Sequence, residues 1–228
     1  MPLIRRTFIA TLAAAPFAAR AQTAPRADEV ARFPPLHAAA QRGDLAALRL
    51  ALAGGADVNS RDGHGRTPLH VAAFARQRDA IKALAAAGAD LGLLERDRYD
   101  AVTIAAVADD EATLRVLLAL GASAKLVTSR YDGTALIAAA HLGFEGVVRQ
   151  LIAAGAPLDH VNNLHWTAVI EAVVLGDGGP RHQATLRALI DARANLQLAD
   201  RNGRTPLALA RERSHSAMAQ MLEQAGAR

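Results

Sequence analysis

The chain has 228 residues, a formal net charge of +4 and 51% hydrophobic residues, which suffices for a sizeable buried core. Cysteine is absent, and this excludes disulfides, thiolate catalysis and cysteine-bound metal. Arginine and acidic residues alternate along the chain instead of forming a basic stripe, so nucleic acid is not an expected partner.

Residues 1–21 read as a cleavable signal peptide. Arg5-Arg6 supplies a basic start, Phe8 to Ala19 a mild apolar run, and Ala19-Arg20-Ala21 a small-x-small cleavage site. The apolar run is too short to span a bilayer as a helix. Arg5-Arg6-Thr7-Phe8-Ile9 resembles the bacterial twin-arginine export signal, although Ile4 and Ala10 depart from its pattern. The general secretory route is the alternative, and both lead to the periplasm. Without residues 1–21 the net charge falls to +1, so overall charge says little about partners. Later apolar runs are all interrupted by charge, and no membrane insertion of the mature chain is expected.

Residues 22–33 form a linker and N-terminal cap, with Phe33 shielding the first apolar end. From residue 34 onwards two markers keep one register. The first is a Gly-Ala pair at Gly55, Gly88, Gly121, Gly155 and Gly226, with spacings of 33, 33, 34 and 71 residues. Arg193-Ala194 divides the last interval into 38 and 33. The second is a helix-opening phrase: Pro34-Pro35-Leu36-His37, Thr67-Pro68-Leu69-His70, Asp100-Ala101-Val102-Thr103, Thr134-Ala135-Leu136-Ile137, Thr167-Ala168-Val169-Ile170 and Thr205-Pro206-Leu207-Ala208. A threonine cap followed by a first-turn proline begins a helix without losing an intrahelical bond. First helices are therefore expected near Pro35, Pro68, Ala101, Ala135, Ala168 and Pro206. Ile81, Leu84 and Ala85 predict an apolar stripe on the second helix of repeat two. Asp62-Gly63-His64-Gly65 and Asp200-Arg201-Asn202-Gly203 are turn sequences.

The period, the T-P-L-H-x-A-A phrase and the G-A-D ending at Asp57 and Asp90 resemble the ankyrin repeat. The resemblance implies an all-α solenoid of about six helix-turn-helix repeats with short finger turns. They fall near 34–66, 67–99, 100–133, 134–166, 167–204 and 205–228. It also implies that His37 and His70 are structural, bonding between adjacent turns. Fingers three, four and five carry Arg98, Asp132 and His165 where a turn glycine is expected.

Ankyrin repeats are, as a family, non-enzymatic binding modules whose fingers and first helices form a concave contact face. Carried over position by position, the partner-binding candidates are Arg66, Phe74, Arg96, Tyr99, Arg130, Tyr131, His141, Leu164, Trp166 and Leu175. Four of the six aromatic residues after residue 21 fall on this face. Aromatic and arginine side chains dominate interface hot spots. The alternative is that each ring packs on a neighbouring finger and stiffens it. The reading is of a monomeric periplasmic scaffold for a protein partner. No catalytic phrase, cofactor motif or metal-ligand set stands out.

Repeat five carries a five-residue insertion within Leu175-Gly176-Asp177-Gly178-Gly179-Pro180-Arg181-His182-Gln183. Together with Asn162-Asn163-Leu164-x-Trp166-Thr167-Ala168 it resembles a subgroup of exported bacterial ankyrin proteins. The glycines and the proline predict a non-helical loop. A second reading places a small molecule or metal there, with Glu171, Asp177, Arg181 and His182 converging.

Overall fold

A computed structural model describes residues 24–228, so the expected signal peptide lies outside the described residues. After a short cap helix, α1 (Ala27–Val30), twelve helices follow in six antiparallel pairs. The pairs are α2 (Pro35–Arg42) with α3 (Leu45–Ala53), α4 (Pro68–Phe74) with α5 (Arg78–Ala86), and α6 (Ala101–Val107) with α7 (Glu111–Ala119). They continue as α8 (Ala135–Leu142) with α9 (Glu145–Ala153), α10 (Ala168–Val174) with α11 (Pro180–Asp191), and α12 (Pro206–Glu212) with α13 (Ser216–Gln224). First helices pack on first helices and second on second, giving two rows. The described residues contain no strand, only an isolated Thr128–Gly133 bridge.

Local chemistry sets the helix starts. Thr67, Thr134, Thr167 and Thr205 each accept the backbone N–H three residues on. Asp100 does the same in repeat three. All six first helices begin at the expected residue. At Thr67 the cap is reciprocal, because the His70 ring accepts the Thr67 N–H in return.

The rows share one core running from Leu36 to Ala227. First helices contribute alanines that are almost wholly buried, such as Ala72, Ala106, Ala140 and Ala172. Their small size lets neighbouring helices approach closely. Second helices contribute the bulk: Leu48, Leu84, Leu117, Leu151, Leu189 and Leu222 are fully buried. Each such leucine is worth about 1.5–3 kcal/mol of burial. On α5 the buried stripe is Ala80, Ile81 and Leu84, so Ala80 takes the place expected of Ala85. No helix among the described residues is long and apolar enough to cross a membrane.

The Gly-Ala marks close the second helices with left-handed residues, from Gly55 to Gly226. Arg193 keeps the same conformation, at φ 65°, with a β-carbon that disfavours it. Arg193 is exposed, and its removal opens no cavity. Arg193→Gly is therefore expected to raise stability by about 1 kcal/mol in denaturant melts. A neutral or lower value would show that the arginine is not strained.

The insertion is more helical than its composition suggests. Gly179 is the N-cap and Pro180 the first residue of α11, which has 12 residues against nine in each of the other second helices. A first-turn proline favours a helix start, and this overrides the turn signal of the preceding glycines. Only Leu175 to Gly179 remain outside the helices.

Candidate functional site on the finger face

Fingers two, three, five and six are tight turns, each organised by one acceptor. Asp62 Oδ1 accepts the N–H groups of His64 and Arg66 at 2.8 and 2.9 Å. Glu95 Oε1 does this for Asp97 and Tyr99, Asn162 Oδ1 for Leu164 and Trp166, and Asp200 Oδ1 for Asn202 and Arg204. Arg98, Asp132 and His165 still adopt the left-handed turn, at φ 66°, 51° and 62°. The fingers are therefore formed without the glycine. They are also cross-linked. Arg96 N–H donates to the His64 carbonyl, Ser129 N–H to that of Arg98, and Asn163 N–H to that of Tyr131. The result is a continuous row of fingers beside the first helices.

The candidate contact residues divide by burial. Tyr131 and Leu164, on adjoining fingers, are open at 39% and 38% exposure. Arg96 and Arg130 are exposed; Arg96 donates to the Gly63 carbonyl, and Arg130 lies 3.5 Å from Asp97. Phe74, Tyr99, Trp166 and Leu175 are half-buried and lean on the core. No two of the rings of Tyr99, Tyr131 and Trp166 pair among the described residues. The aromatic residues are thus spread along the face and do not form one floor.

Arg66 is a correction. It is 4% exposed and unavailable to a partner. Its guanidinium pairs with Asp62 at 2.7 Å and with Glu29 of the cap helix at 2.8 Å, over the Phe33 ring at 5.6 Å. The Arg66 hydrogen bond holds the Glu29 carboxyl below its ordinary range. Burial alone would raise the Asp62 carboxyl, but Arg66 and the finger N–H groups outweigh it and hold it low. The repeat Asp62-x-x-x-Arg66 and Asp200-x-x-x-Arg204 was the available sequence signal for this pair.

Beside this cluster lies a cleft of about 280 Å³ between the cap helix and fingers two and three. It is lined by Phe74, Tyr99, Glu95 and Asp97 together with Arg26, Glu29, His64 and Arg66. Glu29 and Glu95 were not among the sequence candidates.

His141 stands at a second polar spot. Its Nδ1 lies 3.3 Å from Oε2 of the buried Glu171, whose Oε1 accepts from Asn162 Nδ2 at 3.0 Å. This arrangement corrects the expected convergence around the insertion. Glu171 faces Asn162 and His141, while Arg181 stacks over Phe144 at 5.1 Å. Only Asp177 and His182 meet, at 3.2 Å, and His182 Nε2 also donates to the His141 carbonyl. No group of three metal-ligating side chains occurs among the described residues. The insertion thus buttresses α8, and nothing in its geometry builds a ligand site.

Stacked helix pairs with a row of finger turns define an all-α solenoid repeat protein. The family model described as ankyrin repeats in three copies matches residues 19–95, and a single ankyrin repeat model matches residues 131–163. An ankyrin repeat domain (ABAYE2397) from Acinetobacter baumannii AYE is 40% identical, with a TM-score of 0.80, over 85% of this chain and 98% of that one. The chain belongs to the ankyrin repeat family. It is also similar to the ankyrin repeat protein YahD of Escherichia coli (strain K12), 39% identical over 100 residues. That match covers 43% of this chain and spans half the length of YahD. A chain in the complex of the predatory endopeptidase Bd0816 of Bdellovibrio bacteriovorus with immunity protein Bd3460 is 26% identical, with a TM-score of 0.71. There 84% of this chain and 98% of that one are covered.

Proposed function

We propose that this protein is a non-enzymatic scaffold that binds a protein partner through its fingers and first helices, acting as a single chain in the periplasm after export. Ankyrin repeats generally mediate protein–protein interaction, and the neighbour from Bdellovibrio comes from a complex with a protein. The observation that carries the reading is the open pair Tyr131 and Leu164 on adjoining fingers, with Trp166 half-buried beside them. A ring and an aliphatic side chain held in the open on a rigid row suit a partner contact more than a core contact. The basic start, apolar run and small-x-small site of residues 1–21 support the location.

The partner is obtained by capture from periplasmic extract and its affinity measured on variants. Tyr131→Ala combined with Leu164→Ala is expected to weaken binding about tenfold or more and leave the melting temperature unchanged. Trp166→Ala leans on the core, so it is expected to weaken binding by about 2 kcal/mol, roughly thirtyfold, and also to lower the melt. Unchanged affinity in all three substitutions would move the partner to another face. Replacing Arg5 and Arg6 by lysine keeps the charge and is expected to block export by the twin-arginine route. Protein still found in the cytoplasm with an intact N-terminus in wild-type cells would overturn the location.

A further inference from the structure

The finger carboxylates reveal an unfilled position. In finger two the second oxygen of Asp62 takes the Arg66 guanidinium, four residues on. In finger six Asp200 takes Arg204 in the same way, at 2.6 Å. In finger five the side chain of Asn162 donates to Glu171. Finger three has the carboxylate without the cation, because Tyr99 stands four residues after Glu95 where fingers two and six, which also carry a carboxylate, have arginine. Glu95 Oε1 serves the turn, but Oε2 has no hydrogen bond and no cation among the described residues, and it remains open to solvent. Burial raises the Glu95 carboxyl, as expected for a half-buried group that lacks a cation. Arg66, which lines the same cleft, is committed to Asp62 and Glu29.

The missing cation would lie in the cleft, against rings. Next door the molecule already displays the completed arrangement, with Arg66 between two carboxylates over Phe33. Finger three repeats the carboxylate and the rings, as Glu95, Tyr99 and Phe74, without the guanidinium. Resting on the partner-binding reading above, we propose that this cleft accepts an arginine side chain of the protein partner, paired with Glu95 and laid against Tyr99 and Phe74. The cleft, at about 280 Å³, sits at the lower edge of small-molecule pockets and suits one long side chain. Arginine fits better than lysine, since a planar guanidinium stacks on a ring while its edge donates to a carboxylate.

The test uses the isotopically labelled protein titrated with N-acetyl-arginine amide and with N-acetyl-citrulline amide, which has nearly the same shape and no charge. The arginine compound is expected to shift the signals of Phe74 and of residues 95–99 saturably in the millimolar range, at least about fivefold more tightly than the citrulline compound. Glu95→Gln retains an Oε1 for the two finger N–H groups, so the melt is expected to hold while arginine binding falls about fivefold. Tyr99→Arg places a guanidinium in the cleft from within, as Arg66 does for Asp62, and is expected to abolish the titration. Equal binding of both compounds, no saturable shift, or wild-type titration by Glu95→Gln would overturn the proposal. If the captured partner loses affinity on Tyr131→Ala with Leu164→Ala but not on Glu95→Gln, the arginine site falls and the binding face stands. If the finger variants leave the partner unaffected while arginine still titrates Glu95, the binding face falls and the cleft stands.

Discussion

Acidification from pH 7 to pH 4 is expected to remove about 3 kcal/mol of stability through His70 alone. The ring is 1% exposed and fully engaged. Its Nδ1 accepts the Thr67 N–H at 3.1 Å, and its Nε2 donates to the Tyr99 carbonyl at 3.1 Å. That arrangement fits only the neutral ring, since a proton on Nδ1 would face another donor. Burial, the dominant cause, pushes the His70 pKa down to about 4 from 6.5. The sign follows from proton counting. Between those two values the unfolded imidazole holds a proton that the folded one refuses, so stability falls as pH drops through 6.5 and levels off below about 4. Burial also lowers His37, which adds in the same direction. His70→Gln isolates the effect, because glutamine can still accept the Thr67 N–H in a capping box and does not titrate. Denaturant melts at several pH values are expected to lose a slope of about one proton in the variant. An unchanged slope would assign the acid sensitivity to other groups.

His70 illustrates why so much of this fold is legible in the sequence. A repeat writes the same physical requirement several times, so a cap, a small-residue helix and a left-handed closing residue are each seen in register. One protein then supplies its own comparison. The first-helix starts follow from a Thr or Asp cap or a first-turn proline in each phrase, and His37 and His70 make the inter-turn bonds expected of them. The reading fails where function depends on which of two neighbours a side chain chooses. Arg66 occupies a position that looks outward in the family pattern, yet Asp62, Glu29 and Phe33 surround it. Glu29 comes from the cap, 37 residues earlier, and periodicity within the repeats carries no information about it. Glu171 likewise sits near the insertion in sequence but turns toward Asn162. The insertion was misread for a local reason: three glycines signal a turn, but Pro180 begins a helix that absorbs most of the added residues.

Arg66→Ala is expected to destabilise the protein by about 3–5 kcal/mol, the cost of leaving buried carboxylates without their cation. Asp62 and Arg66 have side chains only 5% exposed, and Glu29 only 12%. The loss is local in origin, because this guanidinium ties cap helix α1 to finger two and covers Phe33. Hydrogen exchange is therefore expected to show residues 27–33 losing protection before the rest of the stack, since a repeat array opens most readily at its ends. Finger six supplies an internal control. Arg204 makes the same pair with Asp200, but its side chain is 40% exposed. Water competes there, so Arg204→Ala is expected to cost about 1 kcal/mol or less. If Arg66 were instead a contact for the partner, Arg66→Ala would behave as a surface change, shifting stability by about 0.5 kcal/mol or less and lowering affinity. Denaturant melts of the two alanine variants separate these outcomes. Equal small losses at Arg66 and Arg204 would show that burial does not set the strength of the finger pair.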